Sequence, residues 1–151
     1  MKEIIPESTP QSAWYRTVED AKRLAGYQFS DALQSYLILT LEHYTTQSHI
    51  ASRVIALDFL EHAKLDSTMS ILTMREIGDH CLLLSGLFPE RIKRKNVSLS
   101  YIIGMGKQAY QRLSASPRPK YFDPKLFFNL QRNFVGLMDV LHHMRTNESY
   151  A

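Results

Sequence analysis

Acidic residues and histidines lie side by side at three places in the chain, and such groups are the usual ligands of iron and manganese in helical bundles. They are Glu42 with His43, Glu61 with His62, and Glu76 and Asp79 with His80. A ferritin-like di-iron site needs a histidine three residues after a glutamate on two helices, and no glutamate here meets that spacing. We therefore predict no metal and no cofactor. The four-residue step from Glu76 to His80 keeps metal binding as an alternative, and ion pairing of Arg75 with Asp79 is the simpler interpretation.

Motifs of catalysis give no positive support for an enzyme. The stretch from Gly104 to Ala109 has the G-x-G-x-x-A spacing of a dinucleotide fingerprint, but no second strand is available to build the parallel sheet that this motif requires. Cys81 is the only cysteine and stands in an apolar run, which indicates a buried, reduced thiol rather than a nucleophile. The sequence predicts a non-enzymatic protein.

Charge is divided unevenly along the chain. Residues 1–89 carry 7 basic and 11 acidic side chains, a balance of −4, whereas residues 90–151 carry 11 basic and 4 acidic ones, a balance of +7. The basic half begins with Arg91, Lys93, Arg94 and Lys95. Four aromatic residues are interleaved with its charges: Tyr101, Tyr110, Tyr121 and Phe122. Basic side chains beside stacking aromatics suit RNA or DNA. Nucleic-acid binding is therefore an alternative to binding an acidic protein partner or to mutual attraction of the two halves.

The elements that must position these residues are helices. Apolar residues recur at three- and four-residue intervals in segments joined by short loops, so we predict an all-α, single-domain bundle of five to six helices over residues 12–151, preceded by a flexible arm over residues 1–11. The predicted segments cover residues 12–23, 30–44, 50–64, 67–86, 97–114 and 123–144. Those over 30–44 and 50–64 form either a hairpin or one bent helix. No signal peptide or membrane-spanning run is apparent, so we expect a cytoplasmic protein that does not enter the membrane.

Local signals mark several of the boundaries. Ser12, Ser30 and Asp123 are predicted N-caps, Gly26 ends the first helix, and Asp66 or Ser67 begins the segment before Gly86. Phe88 precedes a proline and is pushed away from helical dihedral angles, so residues 86–90 should form an ordered break followed by a basic connector. Gly104 and Gly106 are costly inside a helix, and close packing of another helix would explain them.

Three short stretches carry a resemblance to a known family. They are Gly78-Asp79, the run from Ser85 through Gly86 and Phe88-Pro89-Glu90 to Arg91, and the run from Tyr101 to Gly106 with Ala109-Tyr110. Over roughly residues 75–112 the chain resembles a small proteobacterial family of helical cytosolic proteins without established activity, some of them from intracellular pathogens. The resemblance implies a regulatory role that promotes transmission or virulence traits.

These stretches define the candidate interaction site at the junction between the acidic and basic halves. Its residues are Gly78, Asp79, Gly86, Phe88, Pro89, Glu90, Arg91, Lys93, Arg94, Tyr101, Gly104, Gly106 and Tyr110. One interpretation is a turn that specifies the fold, with Phe88 in the core and Asp79 capping or ion pairing. The other is a docking surface for a protein partner, centred on residues 88–95. A homo-oligomer is a further alternative.

Overall fold

The computed structural model describes residues 10–46, 71–115 and 123–147, which contain seven α-helices and no strand. They are α1 (Pro10–Ala25), α2 (Asp31–Thr46), α3 (Ile71–Leu87), α4 (Pro89–Arg94), α5 (Leu99–Ser114), α6 (Pro124–Arg132) and α7 (Phe134–Asn147). The predicted all-α class is confirmed, but the predicted count of five to six helices is wrong. The segment expected over residues 50–64 and the caps expected at Asp66 or Ser67 lie outside the described residues.

The boundaries of α1 and α2 follow local backbone chemistry. α1 begins at Pro10, before the expected Ser12, and ends where Gly26 adopts a φ of 80°. Lys22 then accepts hydrogen bonds on its carbonyl oxygen from the N–H groups of Gly26 and Tyr27, at 3.0 and 3.1 Å, as in a glycine-terminated helix. Ser30 caps α2 as predicted, because its Oγ accepts a hydrogen bond of 3.2 Å from the N–H of Leu33.

A single residue separates α3 from α4. Phe88 has φ −134° and ψ 50°, and Pro89 opens α4 at the position where a missing N–H costs nothing. The break is thus shorter than the predicted one, and the first four residues of the basic connector, 91–94, are helical. Ile92, the one apolar residue of that connector, is fully buried and attaches α4 to the core.

The C-terminal segment begins as predicted and then divides. Asp123 caps α6 by accepting a 3.0 Å hydrogen bond on Oδ1 from the N–H of Lys125, and Pro124 follows it. The single long helix expected here is interrupted at Asn133, whose side-chain Nδ2 donates to the carbonyl oxygen of Asn129 at 2.8 Å. Such a side-chain bond competes with the helix ladder, and α7 starts at the next residue.

The hydrophobic core surrounds α3, which packs against α5 and α7. Its residues from Cys81 to Leu84 are all fully buried. α6 packs on α5, and α1 lies against α2 and α7. α5 approaches α3 closely because Gly106 has no side chain: a Cβ there would lie 2.6 Å from the ring of Phe134 and 2.8 Å from Cys81. Within the described ranges, no helix combines the length and the apolar character needed to cross a membrane.

Candidate functional site

A carboxylate is buried at the centre of the described helices. Asp79 on α3 is 6% exposed, and its Oδ1 accepts hydrogen bonds from two tyrosine hydroxyls. Tyr36 of α2 donates at 2.7 Å and Tyr110 of α5 donates at 2.6 Å. Three helices therefore meet at one oxygen atom. We call Asp79, Tyr36 and Tyr110 the buried tyrosine–aspartate cluster.

Close packing fixes the two rings. Gly78 makes room for Tyr110, since a Cβ at Gly78 would lie 2.5 Å from the ring of that tyrosine. Both tyrosine rings also contact Phe127 of α6, with ring centroids 5.7 Å away for Tyr36 and 5.9 Å away for Tyr110. Tyr110 is fully buried, so its position is determined by the core as much as by its hydrogen bond.

Arg75 joins this cluster from one helical turn before Asp79. Its Nε donates a 3.1 Å hydrogen bond to the hydroxyl oxygen of Tyr36, and its guanidinium lies 5.2 Å from the centroid of the Tyr36 ring. Tyr36 in turn donates to Asp79. The expected pairing of Arg75 with Asp79 is therefore relayed through a hydroxyl group.

Burial governs the protonation of the cluster. Desolvation raises the pKa of Asp79 to about 6, although the hydrogen bonds from Tyr110 and Tyr36 and the charge of Arg75 act in the opposite direction. Desolvation and the nearby carboxylate hold the pKa values of both tyrosines well above the ordinary value. The tyrosines therefore remain donors near neutral pH, while Asp79 changes charge close to it.

A pocket of about 470 Å³ opens beside Asp79, between α2 and α3. Among the described residues, its polar lining includes Thr40, His43, Tyr44, Arg75, Glu76 and Asp79. Two leucines also line it, Leu39 and Leu72, which are 52% and 76% exposed. The pocket thus combines charged groups of both signs with an apolar border.

The structure divides the predicted junction residues into separate groups. Gly78, Asp79 and Tyr110 meet in the buried cluster, whereas Gly86 packs against Leu141 elsewhere in the core. The close-packing explanation holds for Gly106 but is wrong for Gly104, since a Cβ at Gly104 would meet nothing within 4 Å.

The aromatic residues predicted for stacking do not share one environment, and two of them, Tyr121 and Phe122, lie outside the described residues. Tyr101 is 53% exposed, whereas the fully buried Tyr110 is excluded from the stacking surface on which it was predicted. Phe88 is only partly buried at the edge of the core.

The junction residues from Pro89 to Arg94 belong to α4, and Lys95, the C-cap that follows them, extends their basic surface. Lys93, Arg94 and Lys95 are exposed, and none of them makes an ion pair with a described residue. Arg91 lies with its guanidinium 5.8 Å from the centroid of the Phe88 ring. Glu90 is tied to Arg145 of α7 through an ion pair of 3.2 Å. We call Lys93, Arg94 and Lys95 the basic surface of α4.

The part of the chain that the structure describes contains no candidate metal site. No group of three or more histidine, cysteine, aspartate or glutamate side chains is arranged there to hold an ion. His80 is buried, with its Nδ1 2.7 Å from the carbonyl oxygen of Glu76, and Asp79 faces the two tyrosines. Burial also raises the pKa of the Cys81 thiol far above its ordinary value.

Sequence reasoning reached part of the buried cluster and missed the rest. Asp79 and Tyr110 are among the predicted residues, but the helical spacing of Tyr36 indicates only an apolar position of its helix. The only local signal is that Arg75 and Asp79 are four residues apart on one face of α3, where the arginine can offset the charge of the aspartate.

Fold and site together define an all-α protein with a buried carboxylate beneath a polar pocket and a basic surface on a separate short helix. Comparisons with protein-family models, curated proteins and solved structures give no match for this chain.

Proposed function

We propose that this protein is a non-enzymatic regulator that acts by binding an acidic surface of a protein partner through α4. The observation that carries the proposal is the basic surface of α4, where three consecutive cations are exposed and make no ion pair with a described residue. Unpaired charges of one sign attract a partner of the opposite sign and speed its association.

The attachment of α4 supports this role. Ile92 is fully buried, and Glu90 pairs with Arg145 on α7, so the short helix is held from two sides. A surface that is ordered before binding loses less conformational entropy when the partner arrives.

The family resemblance supports a cytoplasmic regulator that promotes transmission or virulence traits.

Nucleic acid is the alternative partner for the same charges. The exposed ring of Tyr101 favours it, but Tyr110 is buried and donates to Asp79, so it is not available for stacking on a base. Of the two predicted stacking residues that the structure describes, one is buried, and this favours a protein partner over single-stranded RNA or DNA.

Two variants of equal charge change test the proposal. Lys93→Glu with Arg94→Glu reverses the basic surface, and Arg112→Glu with Lys125→Glu reverses two exposed cations on α5 and α6. Immobilised wild type and both variants would be used to capture partners from a lysate of the source organism, before and after nuclease treatment. Binding of a single-stranded RNA oligonucleotide would be measured in parallel by fluorescence anisotropy.

We expect a nuclease-resistant protein that is retained by wild type and by the control variant and is lost with the α4 variant. Equal capture by the two variants would contradict the proposal. Capture that disappears with nuclease, together with tight RNA binding, would replace the protein partner by nucleic acid.

A further inference from the structure

The pocket beside Asp79 contains polar groups that lack partners among the described residues. Asp79 is 94% buried, and both of its hydrogen bonds fall on Oδ1, so Oδ2 accepts none from the described residues. Leaving a buried carboxylate oxygen without a donor costs free energy comparable to the loss of a hydrogen bond. Asp79 is also one of the residues that line the pocket, and a carboxylate with an unused acceptor beside a pocket is suited to a ligand that brings its own donor.

Two neighbouring residues, Arg75 and Tyr44, have hydrogen-bond donors that no described residue uses. Arg75 donates through Nε to Tyr36, while its two amino groups make no hydrogen bond with a described residue. Tyr44 is 8% exposed, and its hydroxyl also lacks a hydrogen-bond partner there. Both residues line the pocket with Asp79. The lining therefore offers carboxylate acceptors at Asp79 and Glu76 together with donors at Arg75 and Tyr44.

Charge decides which ligand can use all of them. A simple anion would be attracted by Arg75 but repelled by the carboxylates of Glu76 and Asp79. A simple cation would be attracted by the two carboxylates but repelled by Arg75. A ligand with an ammonium group next to a carboxylate matches both signs, because the ammonium donates to Asp79 while the carboxylate accepts from Arg75, and from Tyr44 where the hydroxyl reaches it. His43 adds a further polar group to this wall.

The apolar border limits the rest of the ligand. Leu39 and Leu72 are exposed large hydrophobic residues at the pocket, so an aliphatic group placed between them would cover apolar surface that water now contacts. A volume of about 470 Å³ is within the range of small-molecule sites. We infer that this pocket binds a small zwitterion of the α-amino-acid type with an apolar side chain. This site is distinct from the basic surface of α4 and does not depend on the function proposed for it.

Leucine and two matched compounds would show how much the ammonium group and the carboxylate of the ligand each contribute to its affinity. 4-Methylpentanoate lacks the ammonium group of leucine, and 3-methylbutan-1-amine lacks its carboxylate. Binding of each to the full chain would be measured by isothermal titration calorimetry, and the site would be located by chemical-shift changes in NMR spectra. We expect leucine to bind at least about tenfold more tightly than either compound, with shifts at Tyr44 and Arg75 and none at α4.

Variants test the two charged contacts. Asp79→Asn keeps an oxygen for the tyrosine hydroxyls and presents an amide to the ammonium group, so affinity for leucine should fall at least about tenfold. Arg75→Gln should weaken leucine binding to a similar extent, while Arg112→Gln, which changes an exposed arginine on α5, should leave it unchanged. Circular dichroism would confirm that each variant is folded.

The inference is overturned if leucine shows no heat of binding and no shifts at millimolar concentration, or if 4-methylpentanoate binds equally well. Shifts confined to another surface would also overturn it. Binding of 3-methylbutan-1-amine as tight as that of leucine would remove Arg75 from the recognition of the carboxylate and would refute the zwitterion.

Discussion

Replacing Asp79 by asparagine should make the protein more stable at neutral pH and leave its stability unchanged in acid. Asparagine has almost the same shape, and its oxygen can accept from Tyr36 and Tyr110 as the carboxylate does. The pKa of Asp79 is raised from 3.8 to about 6 on folding. The pKa differs by about two units between the unfolded and folded states, and each unit corresponds to about 1.36 kcal/mol. At pH values above 6, the ionised carboxylate therefore lowers the free energy of unfolding by about 3 kcal/mol.

The sign of the pH dependence follows from which state holds the proton more tightly. A raised pKa in the folded protein means that folding favours protonated Asp79, so its destabilising effect is absent below about pH 4. Stability is then lost as pH rises toward 6 and stays constant above that value. The gap between the variant and wild type should therefore open over this window.

Urea unfolding followed by circular dichroism, at half-unit steps from pH 4 to pH 8, would measure that gap. Burial lowers the pKa of His80 and gives a pH dependence of opposite sign, but His80 is present in both proteins and its contribution cancels. Asp20→Asn changes a half-exposed carboxylate on α1 that pairs with Arg23, and it serves as the control, with a difference below about 0.5 kcal/mol.

Two results would refute this reasoning. One is a gap between Asp79→Asn and wild type that does not change with pH. The other is a variant less stable than wild type at pH 7.5, which would mean that the tyrosine hydroxyls and Arg75 stabilise the ionised carboxylate more than burial destabilises it.

Three further substitutions test the packing and hydrogen bonding around the cluster by urea unfolding. Gly104→Ala should stabilise the protein by about 0.5 to 1 kcal/mol, because this position is inside α5 and a Cβ there meets nothing. Gly78→Ala should cost about 1 to 3 kcal/mol, since its Cβ would overlap the ring of Tyr110; equal effects of the two alanines would show that this contact is not formed. Tyr110→Phe removes one donor to Asp79 and should cost about 1.5 to 3 kcal/mol at pH 7.5. The loss should be smaller at pH 4, where the acceptor is uncharged, and a loss that is the same at both pH values would argue against a bond to the carboxylate.

Helix boundaries that rest on neighbouring residues were predictable, and those that rest on distant ones were not. Ser30 and Asp123 cap their helices through atoms two or three residues away, and Gly26 ends α1 by its own backbone conformation. α4 has only six residues and one apolar side chain, so its pattern is too short for periodicity to reveal. Its helix depends on the burial of Ile92, which is a tertiary effect.

The buried cluster was likewise predictable only in part, because two of its residues stand out in the sequence but their contacts do not. A carboxylate at position 79 and a tyrosine at position 110 stood in the stretches that resemble a known family, but nothing local indicates that they touch. Tyr36 is 43 residues from Asp79 in the chain, and at helical spacing it is indistinguishable from any other core aromatic residue. Only the fold, which brings α2 beside α3, gives its hydroxyl Asp79 and Arg75 as hydrogen-bond partners.

Separation of the buried cluster from the basic surface of α4 makes the two roles distinguishable in one set of measurements. If the protein has a stability near 5 kcal/mol, a loss of about 3 kcal/mol at Gly78 or Tyr110 still leaves a ratio of folded to unfolded chains of roughly 30 to 1. Binding through α4 would then fall by only a few per cent. A larger loss of partner binding in those core variants could not come from unfolding and would mean that the cluster and α4 are coupled. Equal partner binding in core variants and wild type, with loss confined to Lys93 and Arg94, would show that the buried residues of the junction specify the fold while its surface residues recognise the partner.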